Sequence, residues 1–231
     1  MITPADPAVE VERREAVLRA AFDVAETAAP LELGTVTLLR PANPDVLISE
    51  EDYARDERLP YWADLWPSAV VLAKHLEHLE GGGRTLLDLG CGLGLASAVA
   101  ARAGYDVTSS DYYEDALRFA ELNVLRHAGR IPSTWHLDWR DLPEEIERFD
   151  AVIASDVLYE RQYAFLVAEL FHRALAPEGE GWLADPGRLA MGSFLVECAR
   201  RGLDVERHTE VPFEEGKQRQ RITIFRLTHR R

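Results

Sequence analysis

No apolar run in the 231-residue chain approaches the roughly 20 residues that a helix needs to cross a bilayer, so a spanning segment is not expected. The stretch from Met1 to Glu10 carries acids and two prolines. It lacks the basic flank and apolar core of a secretory signal, which makes the cytoplasm the expected compartment. Cysteine is scarce, with Cys91 in a glycine-rich turn and Cys198 in a helical stretch. Without a secretory signal they are not expected to bond, and neither has a CxxC partner or a histidine at ligand spacing. No metal site is expected. The histidines form no HExxH pattern, and no GxSxG elbow is present. Bases are short as well: 26 against 40 acids, a net charge of −14. That balance opposes nucleic acid and anionic membrane surfaces and suits a cationic partner such as a lysine side chain, although solubility alone accounts for it equally well.

With 47% apolar residues and no repeat, low-complexity tract or linker, the chain reads as one α/β unit with an N-terminal elaboration. A monomer is expected. Ala8 to Ala28 has helical spacing, with Val17, Ala21 and Val24 on one face and Leu18 and Ala25 beside them. Thr35–Leu39 and Val46–Ile48 read as a hairpin turned by Pro41 to Asp45, followed by a polar stretch. Pro67 opens a helix to about Leu79. From Arg84 the pattern alternates. Strands are predicted at Thr85–Leu89, Asp106–Ser110, Ser133–Leu137, Asp150–Ala154 and Gly181–Ala184, and helices at Leu95–Ala103, Glu114–Ala128, Gln162–Leu175 and Ser193–Arg201. Val205–Val211 and Arg221–Thr228 close the chain as a hairpin. The expected fold is a doubly wound, mainly parallel, seven-stranded Rossmann-like sheet with an antiparallel terminal strand, plus the N-terminal helix and β-hairpin.

The densest signal is Asp88-Leu89-Gly90-Cys91-Gly92-Leu93-Gly94. A short apolar strand runs into three glycines at alternate positions and then into a helix. Glycine serves where backbone bends sharply or must lie against a ligand, and in a doubly wound sheet this turn lies at the ligand edge. Asp88 can meet a cationic amino-acid moiety. Asp111, at the end of the next strand, can accept from both hydroxyls of a ribose. A dinucleotide fold shares this layout, but its GxGxxG fingerprint requires glycine where Leu95 stands. Asp138 and Trp139 follow the third strand at the same edge, where one can accept from an adenine amine and the other pack on its ring; an ordinary turn residue and core tryptophan are the alternative.

The DxGxGxG turn with Asp111 resembles the class I S-adenosylmethionine-dependent methyltransferases. Two further segments, Tyr61-Trp62-Ala63-Asp64-Leu65-Trp66-Pro67 and Asp156-Val157-Leu158-Tyr159, are similar to the seven-strand protein-lysine methyltransferases of family 16. Pro60 to Pro67 and Leu183 to Arg188 look like the electron-transfer-flavoprotein beta-subunit lysine methyltransferases, many bacterial relatives of which are labelled nicotinamide N-methyltransferase-like. The resemblance implies S-adenosylmethionine as cofactor, with residues 61–231 as the methyltransferase domain and 1–60 as the elaboration. It implies that Trp66 lines the cofactor pocket, alongside Asp88, Gly90, Gly92, Gly94, Asp111, Asp138 and Trp139, and that Ser155 contributes at the methionine end. Asp156 and Tyr159 become the acceptor-side catalytic pair. Otherwise Asp156 is a helix N-cap and Tyr159 a packed aromatic. After Trp-Pro this chain has Ser68-Ala69 where the eukaryotic enzymes have small residues of their own, and the protein substrate stays open. The acceptor is expected to be a protein lysine. A small amine, or a module that retains the cofactor and only docks a partner, are the alternatives.

Overall fold

The computed structural model describes residues 6–48, 59–215 and 218–231. The polar stretch at 49–58 and the first five residues lie outside them. Helix α1 (Pro7–Ala21) begins where Asp6 accepts from the Ala8 amide at 2.9 Å and Pro7 supplies the first helical position. It stops at Ala21, short of the Ala28 that periodicity suggested. Phe22 turns extended, and Val24–Leu31 forms strand β1, paired antiparallel with β2 (Gly34–Pro41). The helical spacing of Val24 and Ala25 was therefore coincidental. Cross-strand pairing outweighs a weak local preference for helix. The hairpin turns at Glu32–Leu33, whose amides donate to the Glu77 carboxylate at 2.8 and 3.1 Å. The second strand expected at Val46–Ile48 is absent, and Pro44–Leu47 is instead a 3-10 turn capped by Asn43.

The main sheet has seven strands: β3 (Thr85–Leu89), β4 (Asp106–Asp111), β5 (Ser133–His136), β6 (Phe149–Ser155), β7 (Leu175–Asp185), β8 (Leu203–Glu215) and β9 (Gln218–His229). Their order is β5-β4-β3-β6-β7-β9-β8, parallel from β5 to β7, with β9 antiparallel to both neighbours. Alternate side chains feed two cores. Leu86 and Ile153 face α2 (Pro67–Leu76), α3 (Leu95–Arg102) and α4 (Glu114–Ala128), while Leu87 and Val152 face α5 (Tyr163–Ala174) and α6 (Met191–Arg200). Strand β7 is longer than its apolar run. It passes through Pro177 where the pairing with β6 shifts register, and there proline's missing amide is tolerated.

The N-terminal elaboration is part of the first core. Leu18, Ala29, Val36, Leu38 and Leu39 are buried in the same cluster as Leu72, Val99 and Phe119. Asn123, wholly buried on α4, locks it in place. Its side chain accepts from Leu39 N at 2.8 Å and donates to Leu39 O at 3.0 Å and Leu93 O at 2.9 Å, which joins hairpin to glycine turn. Gly94 is where α3 crosses α4. At φ 80°, a Cβ there would stand 2.8 Å from both Ala120 Cα and Cβ. Gly94→Ala is expected to lower the unfolding free energy by about 2–4 kcal/mol, adding left-handed strain to overlap with backbone. Urea denaturation measures this, and an unchanged midpoint would refute it.

Candidate functional site

The strand order reverses between the parallel neighbours β3 and β6, and a crevice opens at their carboxyl ends. It is a cavity of 640 Å³, large enough for a nucleoside-sized ligand and more. The glycine turn forms its floor. Gly90 and Gly92 both hold positive φ, and Cβ atoms there would stand 3.3 Å from the Trp139 ring and the Trp62 carbonyl. Backbone is thus exposed to the cavity where side chains would fill it. Asp111, 6% exposed, accepts from Gly92 N at 3.0 Å and Tyr113 N at 3.1 Å. These donors hold its carboxylate at the cavity wall, and burial raises its pKa.

Asp88 and Gly94 stand apart from the other sequence candidates, because neither lines the cavity. Gly94 serves the helix crossing described above. Asp88 lies beneath the turn, 2% exposed, and accepts from the Ser97 hydroxyl at 2.7 Å. Ser97 meets Ser109 at 2.7 Å, and Ser110 Oγ donates to the Asp88 carbonyl at 2.8 Å. Asp88 is thus placed behind the turn and Gly94 at a helix crossing, not on the cavity wall where the sequence reading expected direct contacts to a ligand. Burial, with the Asp111 charge adding, pushes the Asp88 carboxyl up from 3.8 to about 7. A raised acid stabilises the fold while protonated and loses that contribution as pH rises through the folded value. Stability of the wild type should therefore fall between pH 3.8 and about 7. Asp88→Asn should flatten that part of the profile. Parallel pH profiles of the two proteins in chemical denaturation would disprove this.

Asp138 and Trp139 line the cavity after β5. Trp139 packs edge-on against Tyr163 at 5.5 Å, beside Gly90, so it is cavity wall as well as core. The Asp138 carboxylate is already engaged by Arg140, whose N, Nε and Nη2 approach within 3.0–3.2 Å.

Ser155, Asp156 and Tyr159 line the opposite wall, with Trp66. Asp156 stands directly after β6 at φ 58°, an unusual conformation for a residue other than glycine and one that aspartate tolerates better than most. It caps no helix, since α5 begins at Tyr163 with Gln162 before it. Its Oδ1 accepts from Arg188 Nε at 2.6 Å and its Oδ2 from the Ser68 hydroxyl at 3.3 Å. Trp66 Nε1 donates to Tyr61 O at 2.7 Å. Tyr159 is 41% exposed, yet its hydroxyl is enclosed enough that burial, and secondarily Tyr163, raises its pKa, so it stays protonated.

Tyr61, Tyr163 and Arg188 line the cavity but carried no role in the sequence reading. Tyr61, Tyr159, Tyr163 and Trp139 form an edge-to-face series with centroids 5.2, 4.9 and 5.5 Å apart. Arg188 lay in a segment noted only for resemblance, and its partner Asp156 lies on another strand end. Among the described residues, acids outnumber cations on the walls: Asp64, Asp111, Asp138, Asp156 and Glu160 face Arg140 and Arg188, each of which is paired with an acid. Such a cavity suits a cationic ligand and opposes a pyrophosphate.

The methyltransferase domain family matches residues 86–179, from β3 into β7. The electron transfer flavoprotein beta subunit lysine methyltransferase of Danio rerio is 29% identical over 159 residues, covering 66% of this chain and 59% of that protein. A protein-lysine methyltransferase of Bos taurus is 32% identical over 112 residues, covering 43% of this chain and 38% of that protein. This chain thus aligns with less than two thirds of either relative's length. Among solved structures, magnesium protoporphyrin IX methyltransferase from Synechocystis PCC 6803 with bound SAM is similar at TM-score 0.53 and 19% identity, over 80% of this chain and 94% of that one. The chain has the class I methyltransferase fold and strand order, and its sequence is similar to protein-lysine methyltransferases, as the resemblance implied.

Proposed function

We propose that this chain transfers a methyl group from S-adenosylmethionine to an amine, most specifically to a lysine side chain of a protein. The observation that carries this reading is the acid-rich cavity built on the glycine turn, with both lining arginines already paired. The residues present fit the cofactor. Gly90 and Gly92 leave room that a Cβ would occupy, Asp111 presents a carboxylate fixed by backbone donors, and Trp139 offers an apolar wall. When bound, S-adenosylmethionine supplies an activated methyl group on a cationic sulfonium.

The chain's own contribution is alignment and exclusion of water. Asp111 would hold a ribose, Asp138 and Trp139 an adenine, and Trp66 and Ser155 the methionine end. Asp156 can accept a hydrogen bond from an incoming amine. The protonated Tyr159 hydroxyl can donate one, and with Tyr61 its ring narrows the mouth. A lysine must lose its proton before it can react, since ammonium has no lone pair. The Tyr159 hydroxyl, itself protonated, cannot take that proton, so the amine gives it up to solvent on entering the site.

Calorimetric titration is expected to show binding of S-adenosylhomocysteine and none of NAD; tighter binding of NAD would overturn the reading. Asp111→Ala should weaken S-adenosylhomocysteine binding about ten- to a hundredfold, the worth of a charge-assisted hydrogen-bond pair at roughly 1.5–3 kcal/mol. Unchanged affinity would remove Asp111 from the ribose role. Incubation with methyl-labelled cofactor and a cell lysate distinguishes the acceptors. Label on protein lysine supports the specific reading, label only in small molecules replaces it with a small-amine methyltransferase, and no label with intact cofactor binding favours a docking module. Residues 1–60 are proposed to help present the acceptor; point substitutions on the outer face of α1 test this better than deletion, because the hairpin is bonded to Asn123.

A further inference from the structure

Asp156 is almost fully enclosed, and an enclosed carboxylate needs a counter-charge. Arg188 provides it through its Nε at 2.6 Å. The guanidinium lies on the cavity side: Arg188 lines the wall, and its central carbon stands 5.9 Å from the Trp66 ring centroid. It is also aimed. Asp185, 1% exposed at the end of β7, accepts from Gly187 N at 2.7 Å and Arg188 N at 2.8 Å, which folds the turn so that the side chain returns to Asp156.

Among the described residues, the other charged and titratable groups around the pair are few. Asp185 faces it from β7, Tyr61 from the segment before α2, and Tyr159 and Glu160 from the segment after β6. Ser68 on α2 adds only a hydroxyl. Burial pushes the Asp185 carboxyl up, and the Asp156 charge adds to that, while its Oδ1 is taken by the Gly187 and Arg188 amides. Arg140, the other cation among the described lining residues, is held by Asp138. The charge that balances Asp156 is therefore that of Arg188.

This matters because a bare carboxylate and an ion pair treat an amine differently. An opposite charge within about 4–6 Å favours the ammonium form, whereas an enclosed site with no net charge favours the neutral amine. Both arrangements offer a carboxylate oxygen as hydrogen-bond acceptor. Only the second leaves the nitrogen lone pair available.

We propose that Arg188 is the charge-compensating positioning residue of the acceptor site: by balancing Asp156, it lets that carboxylate orient an amine by hydrogen bonding without trapping it as ammonium. The proposal rests on the amine-acceptor reading above. It makes Arg188 a determinant of the protonation state of the bound acceptor, not a group that contacts the transferred methyl.

The probe is n-butylamine, a surrogate for the lysine side chain, titrated into the full chain saturated with S-adenosylhomocysteine. Calorimetry at pH 7, 8 and 9, in two buffers of different ionisation enthalpy, counts protons released on binding. Free alkylamines are protonated over this range, the lysine pKa being about 10.4. Binding as neutral amine therefore releases about one proton, and affinity rises about tenfold per pH unit. The wild type should behave so. Arg188→Gln should bind the amine at least about tenfold tighter at pH 7, with nearly flat pH dependence and no proton release. Arg188→Met, which keeps the stem beside Trp66, carries the same expectation should the Gln variant not fold. Arg188→Lys should restore wild-type proton release, as should the double variant Asp156→Asn with Arg188→Gln, which removes both charges. Equal proton counts and slopes in wild type and the uncharged single variants would overturn the inference and leave the amine reading standing. Absence of amine binding in all proteins, with S-adenosylhomocysteine still bound, would remove the amine reading and this inference with it.

Discussion

Replacing Asn123 with leucine is expected to lower the unfolding free energy by about 3–6 kcal/mol, since the substitution leaves three buried backbone groups without partners at roughly 1–3 kcal/mol each. Those groups are Leu39 N, Leu39 O and Leu93 O, and no water can reach them around a residue that is wholly buried. Leucine keeps the branched outline and heavy-atom count of asparagine, so the loss is chiefly one of hydrogen bonding. For a domain of this size the melting temperature should fall by about 10–20 °C. The effect should also reach the cavity, because Leu93 belongs to the glycine turn. S-adenosylhomocysteine affinity should weaken although Asn123 touches no part of the cavity. Differential scanning calorimetry and titration of the same sample measure both. A variant that melts within about 3 °C of the wild type would show that the hairpin is held by apolar contact alone.

Asp156→Asn is expected to reduce methyl transfer by a hundredfold or more, with cofactor affinity little changed. Asparagine is chosen over alanine because it tolerates the positive φ of this position, so backbone strain does not confuse the result. It keeps the shape and an acceptor oxygen for Ser68. What it loses is the charge that holds Arg188 and the stronger hydrogen bond to an incoming amine. Misplacement of a reacting group by an ångström costs on the order of a hundredfold in rate, which sets the expected size. Single-turnover kinetics with labelled cofactor, beside calorimetric binding of S-adenosylhomocysteine, separate the two effects. A parallel loss of affinity and rate would move Asp156 into the cofactor pocket. An unimpaired rate would end its acceptor-side role.

The candidate site was legible in sequence wherever its chemistry is written in consecutive residues. Gly90 and Gly92 of the turn, the strand-end Asp111, the pair Asp138 and Trp139, and the segments carrying Trp66, Ser155, Asp156 and Tyr159 all reach one cavity. They do so because the alternation of strand and helix places every strand end on one edge, and the residues after each strand inherit that position. Asp88 lies outside the cavity for a related reason. The motif places it near a ligand along the chain, but the pleat of β3 turns its side chain under the turn toward Ser97. Gly94 shows the same limit, since its partner Ala120 belongs to the next helix.

Local pattern by itself determined the order of elements from Arg84 onward, the doubly wound class and the glycine turn, because period, capping and turn chemistry act over a few residues. Tertiary structure alone decided the rest. It ended α1 at Ala21 in favour of the β1–β2 pairing, joined that hairpin to the turn through Asn123, stacked Tyr61, Tyr159 and Tyr163 at the cavity mouth, and set Arg188 against Asp156. Each of these depends on a partner far away in sequence, and a contact between distant residues leaves no spacing for a local pattern to reveal.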